Sequence, residues 1–256
     1  MRLLITLANT KETVIPIDHG EYLTALVYNL LERSDADYSR FLHEEGYAAD
    51  ESSRRFKLFV FSGLRARSRK LVGDTLHLGP GPVEWSIASP VGDFVTNFAT
   101  GILQVGVIAV GRAVFPVASV ETLPDPDFST GKARFSCLSP IVAGVRCGPG
   151  DGDGTRYLTP ADGPELSTAI RNNLSRKLCA LEGPDAEPGD LEIAFDQDYL
   201  DRHRGGTKLV TYKEIQIRGT LAPFTATGSP ALLEVGYDCG FGEKNSGGFG
   251  MVEVRG

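Results

Sequence analysis

The stretch GFGEKNSGGFGMV, residues 240–252, crowds five glycines around one lysine, Lys244, and one asparagine, Asn245. Glycine gives up more conformational freedom on folding than any other residue, so such a cluster marks a tight turn or a backbone that must come close to something else. Two phosphate-cradling patterns fail on spacing. Gly242 and Gly247 stand as in a Walker loop, but Gly248 and Phe249 occupy the places of its Lys and Ser/Thr. Gly240 and Gly242 begin a G-x-G-x-x-G dinucleotide fingerprint, but Asn245 breaks it and too few residues follow for the helix it requires. Two readings stay open: an ordinary hairpin, or a flexible, main-chain-rich ridge whose N–H groups and lysine meet a phosphodiester backbone.

Outward from this stretch the chain reads as two similar halves. Leu3, Ile5 and Leu7 alternate as a half-buried strand. Asp18 is placed to cap a helix whose apolar face carries Leu23, Leu26, Val27, Leu30 and Leu31. FKLFVFSGL (56–64) reads as a strand, and TLHLGPGPVEWSIAS (75–89) as a hairpin turning at Gly79–Pro82. Pro90 reads as the opening of a second helix with Phe94, Phe98 and Ile102 as its spine, and residues 105–123 as a closing strand. The turn formers of PDPDFSTG (124–131) mark a boundary. Beyond it ARFSCLSPIVAGV reads as a strand, and a helix carries Leu166, Ile170, Leu174, Leu178 and Leu181. Strands follow at 190–196, 208–218 and 220–226, then a short last helix before the glycine stretch and a final strand. The expected architecture is α+β: two tandem ferredoxin-like (βαββαβ) domains, residues 1–123 and 124–256. The loop GPGDGDGTRY (148–157) has a calcium-like composition, but Arg156 sits where the EF-hand glycine belongs and no glutamate closes it, so a turn is expected.

The net charge of −7 argues on its face against a nucleic-acid partner. The total hides a pattern. Arg54, Arg55, Lys57, Arg65, Arg67, Arg69 and Lys70 follow one another with no acid between them. Arg202, Arg204, Lys208, Lys213 and Arg218 are opposed within their run by Glu214 alone. These are either two solvated faces or the footprint of a phosphate backbone. No apolar run approaches the ~18 residues of a membrane span. The start, MRLLITLANTKE, has neither the apolar core nor the cleavage site of a signal peptide. Four dispersed cysteines without a CxxC pair argue against zinc and against a disulfide framework. A reduced, cytoplasmic protein with no membrane contact, metal or cofactor is expected.

Among the four histidines, His19 falls within the apolar stripe of its helix and reads as packed, His77 as structural or exposed, and His203 as a solvated loop residue or an RNA contact. His43 differs. In ADYSRFLHEE the apolar residues are Tyr38, Phe41 and Leu42, and His43 lies roughly 140° from Tyr38, off that stripe. Tyr28 lies roughly 140° from Leu23 in the first helix by the same arithmetic. Both polar tips point away from their cores, so one cleft could hold them, and a plain surface histidine remains the alternative.

The spacing glycine, hydrophobic, glycine, five residues, glycine, hydrophobic, glycine over 240–250 resembles the C-terminal signature of the CRISPR-associated endoribonucleases that cut repeat RNA, the sixth Cas family of the repeat-associated (RAMP) superfamily. LVYNLL (26–31), RFLHEEGY (40–47), FKLFVFSGL (56–64) and LSPIVAGV (138–145) resemble segments of that family in the same order, so the likeness spans nearly the whole chain. It implies the tandem ferredoxin-like fold, binding and cleavage of CRISPR repeat RNA, and a prokaryotic cytosol. It implies that His43, in the matching Leu42-His43 position, is a general acid or base. It implies that Tyr28 positions or deprotonates the 2′-hydroxyl, and that Lys57, which the residues alone leave as a strand lysine, stabilises the charge growing on phosphorus. RNA carries its own nucleophile, so such a reaction needs no metal and leaves a 2′,3′-cyclic phosphate (or 3′-phosphate) and a 5′-hydroxyl. The expected RNA contacts are Gly240, Gly242, Lys244, Asn245, Gly247, Gly248 and Gly250, with Arg54, Arg55, Arg65, Arg67, Arg69, Lys70, Arg202, Arg204, Lys208 and Lys213. The alternative is a non-catalytic scaffold for CRISPR RNA. Whether an interference complex or a second copy of the chain is also a partner stays open.

Overall fold

A computed structural model describes residues 1–51, 53–146 and 154–255. Cys147 and most of the Gly/Asp loop expected over 148–154 lie outside the described residues. The elements follow in chain order: β1 (Arg2–Leu7), β2 (Thr13–Pro16), α1 (Gly20–Ser34), α2 (Ala36–Glu44), β3 (Val60–Phe61), β4 (Arg65–Ala66), β5 (Arg69–Val72), β6 (Thr75–Leu78), β7 (Val83–Ala88), α3 (Gly92–Val105), β8 (Val107–Val110) and β9 (Ala113–Leu123). Then come β10 (Lys132–Cys137), β11 (Gly144–Arg146), β12 (Thr155–Tyr157), α4 (Pro164–Glu182), β13 (Leu191–Phe195), α5 (Gln197–Arg202), β14 (Thr207–Tyr212), β15 (Ile215–Thr220), β16 (Phe224–Gly228), α6 (Pro230–Cys239) and β17 (Val252–Val254).

The chain is α+β, with helices packed on mixed-order antiparallel sheets. The first main sheet runs β3-β7-β1-β9-β8, with β4 also paired to β7, and the second runs β13-β16-β10-β17. Each sheet buries one apolar face under its helices, because alternating side chains on a strand project to opposite faces. The first core holds Leu23, Val27, Phe59, Phe61, Trp85, Phe94 and Phe98; the second holds Phe135, Ile170, Leu174, Phe224 and Phe241. Each such side chain contributes roughly 1.5–3 kcal/mol by leaving water.

Several local expectations are overturned, each by a longer-range interaction. Asp18 does not cap α1; its carboxylate accepts the N–H of Thr211 at 3.0 Å, and His19 stands at the cap position. Pro90 lies two residues ahead of α3, which starts at Gly92 after Val91. Residues 75–89 are not a paired hairpin. β6 pairs with β2 and β5 in a small separate sheet, while β7 pairs with β1 and β3. Residues 105–123 form a two-stranded hairpin, as do 207–220. The expected strand over 56–64 shrinks to Val60–Phe61, because Leu58 takes a left-handed φ of 51°. That turn splits the segment between two cores: Phe56 and Leu58 insert into the second, Phe59 and Phe61 into the first. A left-handed leucine is strained, and the two buried anchors on each side hold it there.

The segment is a seam that joins the halves. Another is Arg2, which is 2% exposed. Its guanidinium lies 3.6 Å from the ring centre of Tyr237 and donates to the carbonyls of Val252 (2.6 Å) and Tyr237 (2.7 Å). Among the described residues no helix is long and apolar enough to cross a membrane.

Candidate functional site

The seam at 56–61 also fixes the site. α1 presents Tyr28 on its flank, and α2, capped by the Asp35 carboxylate accepting the Tyr38 N–H at 2.9 Å, presents His43 in its last turn. The two rings meet edge to face with centres 5.2 Å apart and planes at 82°. His43 is exposed and Tyr28 half-buried. The acidic linker between His43 and Lys57 is closed by a single two-residue clasp: Tyr47 and Phe56 exchange both backbone hydrogen bonds at 2.7 Å. Tyr47 is held in turn by Phe41, ring to ring at 5.3 Å, and by the Tyr38 hydroxyl at 3.2 Å. The clasp returns the chain so that Lys57 Nζ donates to the His43 carbonyl at 2.6 Å. Gly46 permits it. Its φ is +71°, and a Cβ there would stand 2.6 Å from Phe56 O and 3.3 Å from Lys57 Cδ.

Burial shifts Tyr28 and Lys57 in opposite directions. Burial, and then the neighbouring Tyr212 hydroxyl, push the Tyr28 phenol up to about 12. It therefore stays protonated and can donate a hydrogen bond, whereas its phenolate is inaccessible near neutrality. Burial, with Arg55 nearby, lowers the Lys57 ammonium. Thr24, one turn before Tyr28, places its hydroxyl 3.2 Å from the Tyr212 hydroxyl and 3.2 Å from the Ser246 carbonyl. The glycine stretch and the β14–β15 hairpin thus both reach the Tyr28 flank of α1.

Most of the glycine stretch is buried between the halves. Gly240, Phe241, Gly242, Asn245, Gly247, Phe249 and Gly250 are buried; Lys244 is exposed, and Glu243, Ser246 and Gly248 are partly so. Gly242, at φ +74°, lies so close to the Val142 carbonyl that a Cβ would stand 2.2 Å from it. Asn245 points inward and is spent on structure: its Nδ2 donates to Phe249 O at 2.8 Å and its Oδ1 accepts from Lys177 at 2.7 Å. Lys177, on α4, was unremarkable as a sequence position. It is 2% exposed and donates also to the carbonyls of Gly240 (2.6 Å) and Gly242 (2.8 Å). Burial pushes its ammonium down to about 7, while the three acceptors favour the charged form.

The basic runs are divided by the fold. Arg54 pairs with Glu243 at 2.8 Å and Arg65 with Glu84 (3.1 Å) and Glu253 (3.4 Å). Arg67, Arg69 and Lys70 are exposed on and beside β5. Arg202 donates to the Asp198 carbonyl, and Arg204, Lys208 and Lys213 are exposed around β14. Arg54, Arg55, Lys57 and Lys244 surround one cavity of about 260 Å³ between the halves. The remaining histidines stay apart from this arrangement. His19 is buried, with Nδ1 donating towards the carbonyls of Pro16 and Ile17 (both 3.1 Å) and Nε2 accepting the Leu64 N–H at 3.0 Å. His77 pairs with Glu12 at 2.9 Å, and His203 stacks on Tyr199 at 3.9 Å. Among the described residues no group of three or more His, Cys, Asp or Glu side chains is placed to hold a metal ion.

Comparison with known proteins bears on this geometry. The sequence pattern described as CRISPR-associated protein Cas6, N-terminal, matches residues 14–121, and that described as CRISPR associated protein Cas6, C-terminal, matches 123–254. The chain is 32% identical over 255 residues to the CRISPR-associated endoribonuclease Cas6 1 of Methanocaldococcus jannaschii, covering 98% of this chain and 92% of that protein. It is 28% identical over 263 residues to the CRISPR-associated endoribonuclease Cas6 of Pyrococcus furiosus, covering 100% and 90%. A solved structure described as CRISPR associated protein Cas6 superposes with a TM-score of 0.79 at 30% identity, covering 100% of this chain and 99% of that one. A Cas6-related protein from Pyrococcus furiosus superposes with a TM-score of 0.84 at 23% identity, covering 100% and 98%, a likeness of fold.

Proposed function

From the premise that this chain belongs to the Cas6 family of CRISPR-associated endoribonucleases, within the RAMP superfamily, we propose that it cuts CRISPR repeat RNA without a metal, by attack of the 2′-hydroxyl on the adjacent phosphorus. The convergence of Tyr28, His43 and Lys57 carries this reading. The 2′-oxygen forms the new bond to phosphorus and gives up its proton; the bond from phosphorus to the 5′-oxygen breaks, and that oxygen takes a proton. His43, exposed beside the other two, is the group that moves a proton at one of these oxygens. Tyr28 holds the 2′-hydroxyl by donating to it, since its phenol stays protonated. Lys57 swings from the His43 carbonyl to the phosphate oxygens, where its charge is worth most as negative charge builds. The products are a 2′,3′-cyclic phosphate, or 3′-phosphate, and a 5′-hydroxyl.

Two tandem ferredoxin-like domains, 1–123 and 124–256, form the frame in this reading. The strand orders β3-β7-β1-β9 and β13-β16-β10-β17 support it, since each interleaves its strands in the same way. The basic residues of the two runs and Lys244 contact the RNA backbone, the glycine stretch shapes the surface beneath it, and the protein works in the cytoplasm. A second copy of the chain or an interference complex would receive the product without altering the chemistry. The test is cleavage of the repeat RNA of its own locus by wild type and His43→Ala. The variant is expected to lose about 10²-fold or more in rate while binding the RNA with affinity within about threefold of wild type. Equal rates would remove His43 from the mechanism; binding by both proteins without cut products would make the chain a scaffold.

A further inference from the structure

The cavity of about 260 Å³ lies between the Arg54–Phe59 segment, α4 and the glycine stretch. It is smaller than the roughly 300–1,000 Å³ of clefts that take drug-sized ligands. Arg55, Lys57 and Lys244 bring positive charge to it; Glu243, paired with Arg54, brings one negative charge; Phe56, mostly sunk in the second core, brings an apolar patch, and Asn173 an amide. Asn173 is 4% exposed, and its Oδ1 is buried with no hydrogen-bond partner among the described residues. One turn on along α4, Lys177 has three acceptors within 2.8 Å. The same helix face therefore carries one polar group that is fully satisfied by the fold and one that is not. Leaving a buried polar atom without a partner is destabilising, and a leucine of similar shape would avoid that. A ligand that completes the Asn173 amide accounts for the asparagine.

The lining states what that ligand is. Three cations against the one Glu243 carboxylate, itself paired with Arg54, ask for phosphate, and the amide asks for an edge offering a donor beside an acceptor, as adenine does. We infer that this cavity receives one unpaired nucleotide of the RNA strand, its base edge on Asn173 and its phosphate on Arg55 and Lys244. The inference rests on the endoribonuclease reading above. Lys57 lines the cavity and also bonds to the His43 carbonyl, so the nucleotide held there adjoins the scissile one. The pocket fixes which phosphate meets His43, and Asn173 is a specificity residue that takes no part in proton transfer.

The test uses repeat RNA carrying a single abasic site at each position in turn, with binding, cleavage and thermal unfolding measured for wild type and Asn173→Leu. One abasic position close to the cut is expected to weaken wild-type binding about tenfold or more, the scale of losing one base contact. Asn173→Leu is expected to unfold at the same or a higher temperature, to bind intact RNA about tenfold more weakly, and to be insensitive to that one abasic site, the coupling that marks a shared contact. Asn173→Leu binding as tightly as wild type, failing to fold, or remaining sensitive to every abasic position would overturn the inference. An abasic scan with no position-specific loss in the wild type would do so without any variant. If the pocket alone is wrong, intact RNA is still cut; if wild type cuts no repeat RNA, the endoribonuclease reading has failed and the pocket falls with it.

Discussion

Tyr28 shows how environment chooses between roles that residue type leaves open. A phenol near its ordinary pKa of about 10 is already a poor base at neutral pH. Burial and the Tyr212 hydroxyl carry this one to about 12, so between pH 5 and pH 10 it remains a donor. Tyr28→Phe is expected to lower the cleavage rate through lost orientation of the 2′-hydroxyl, while the shape of the pH–rate profile over that range stays as in wild type. A profile whose alkaline limb disappears with the hydroxyl would instead make Tyr28 the base. At this scale the sequence was informative in part. Angular arithmetic put His43 off its apolar stripe, and it is exposed. Tyr28, expected to point away from its core, packs against it, its ring centre 6.2 Å from that of Phe59 and 5.2 Å from that of His43. Lys177 and Asn173 were not legible, because nothing in an amphipathic helix marks which polar residue will be covered by a loop some sixty residues later.

At the scale of elements, two backbone devices hold the site. The first is the Tyr47–Phe56 clasp. Gly46→Ala asks for a left-handed alanine whose Cβ meets Phe56 O at 2.6 Å, so the clasp opens or shifts. The expected result is a destabilisation of about 1–3 kcal/mol in denaturant unfolding, together with a fall in the rate of cutting bound RNA as Lys57 leaves His43. The second device is the Lys177 latch. Lys177→Met leaves two carbonyls and the Asn245 amide oxygen without their donor, and a loss of at least about 1–3 kcal/mol of stability is expected, the cost of an unsatisfied buried polar group. The latch also has a pH signature. Burial places the folded-state pKa near 7 against an ordinary 10.5. Between these values the unfolded chain binds a proton that the folded chain has released, so this group makes stability rise with pH across that window and adds no slope below it. Unfolding midpoints of wild type and Lys177→Met between pH 6 and pH 10 check this: other shifted groups, Lys57 among them, act in both proteins, so the difference between the two profiles should rise with pH above about 7. The sequence placed the helices α1, α3 and α4 through their apolar periodicity, and β1 through its alternation. It misassigned 56–64 and 75–89 because the deciding facts are non-local. Leu58 is turned left-handed by anchors in two cores, and β6 and β7 are claimed by different partners, β2 and β1.

For the whole molecule, function rests on the halves being one body. Arg2, the 56–61 segment and the glycine stretch each bridge them, and the last of these carried the sequence signal for the family. Its spacing pointed to the family through GFGEKNSGGFG, yet most of its glycines serve close backbone packing at the junction. The reason is physical: a glycine demanded by a neighbouring carbonyl and one that clears room for a phosphate look alike in sequence. The central claim is that RNA's own 2′-hydroxyl, assisted by His43, breaks the strand. The most direct measurement is cleavage, in excess EDTA, of a repeat RNA bearing one 2′-deoxynucleotide at the scissile position, with the all-ribose RNA beside it and product ends identified by mass spectrometry. The account predicts that the all-ribose RNA is cut to 2′,3′-cyclic phosphate or 3′-phosphate and 5′-hydroxyl ends and that the deoxy RNA stays whole at that position. Scission of the deoxy RNA there at a comparable rate, or 3′-hydroxyl and 5′-phosphate ends, would contradict it.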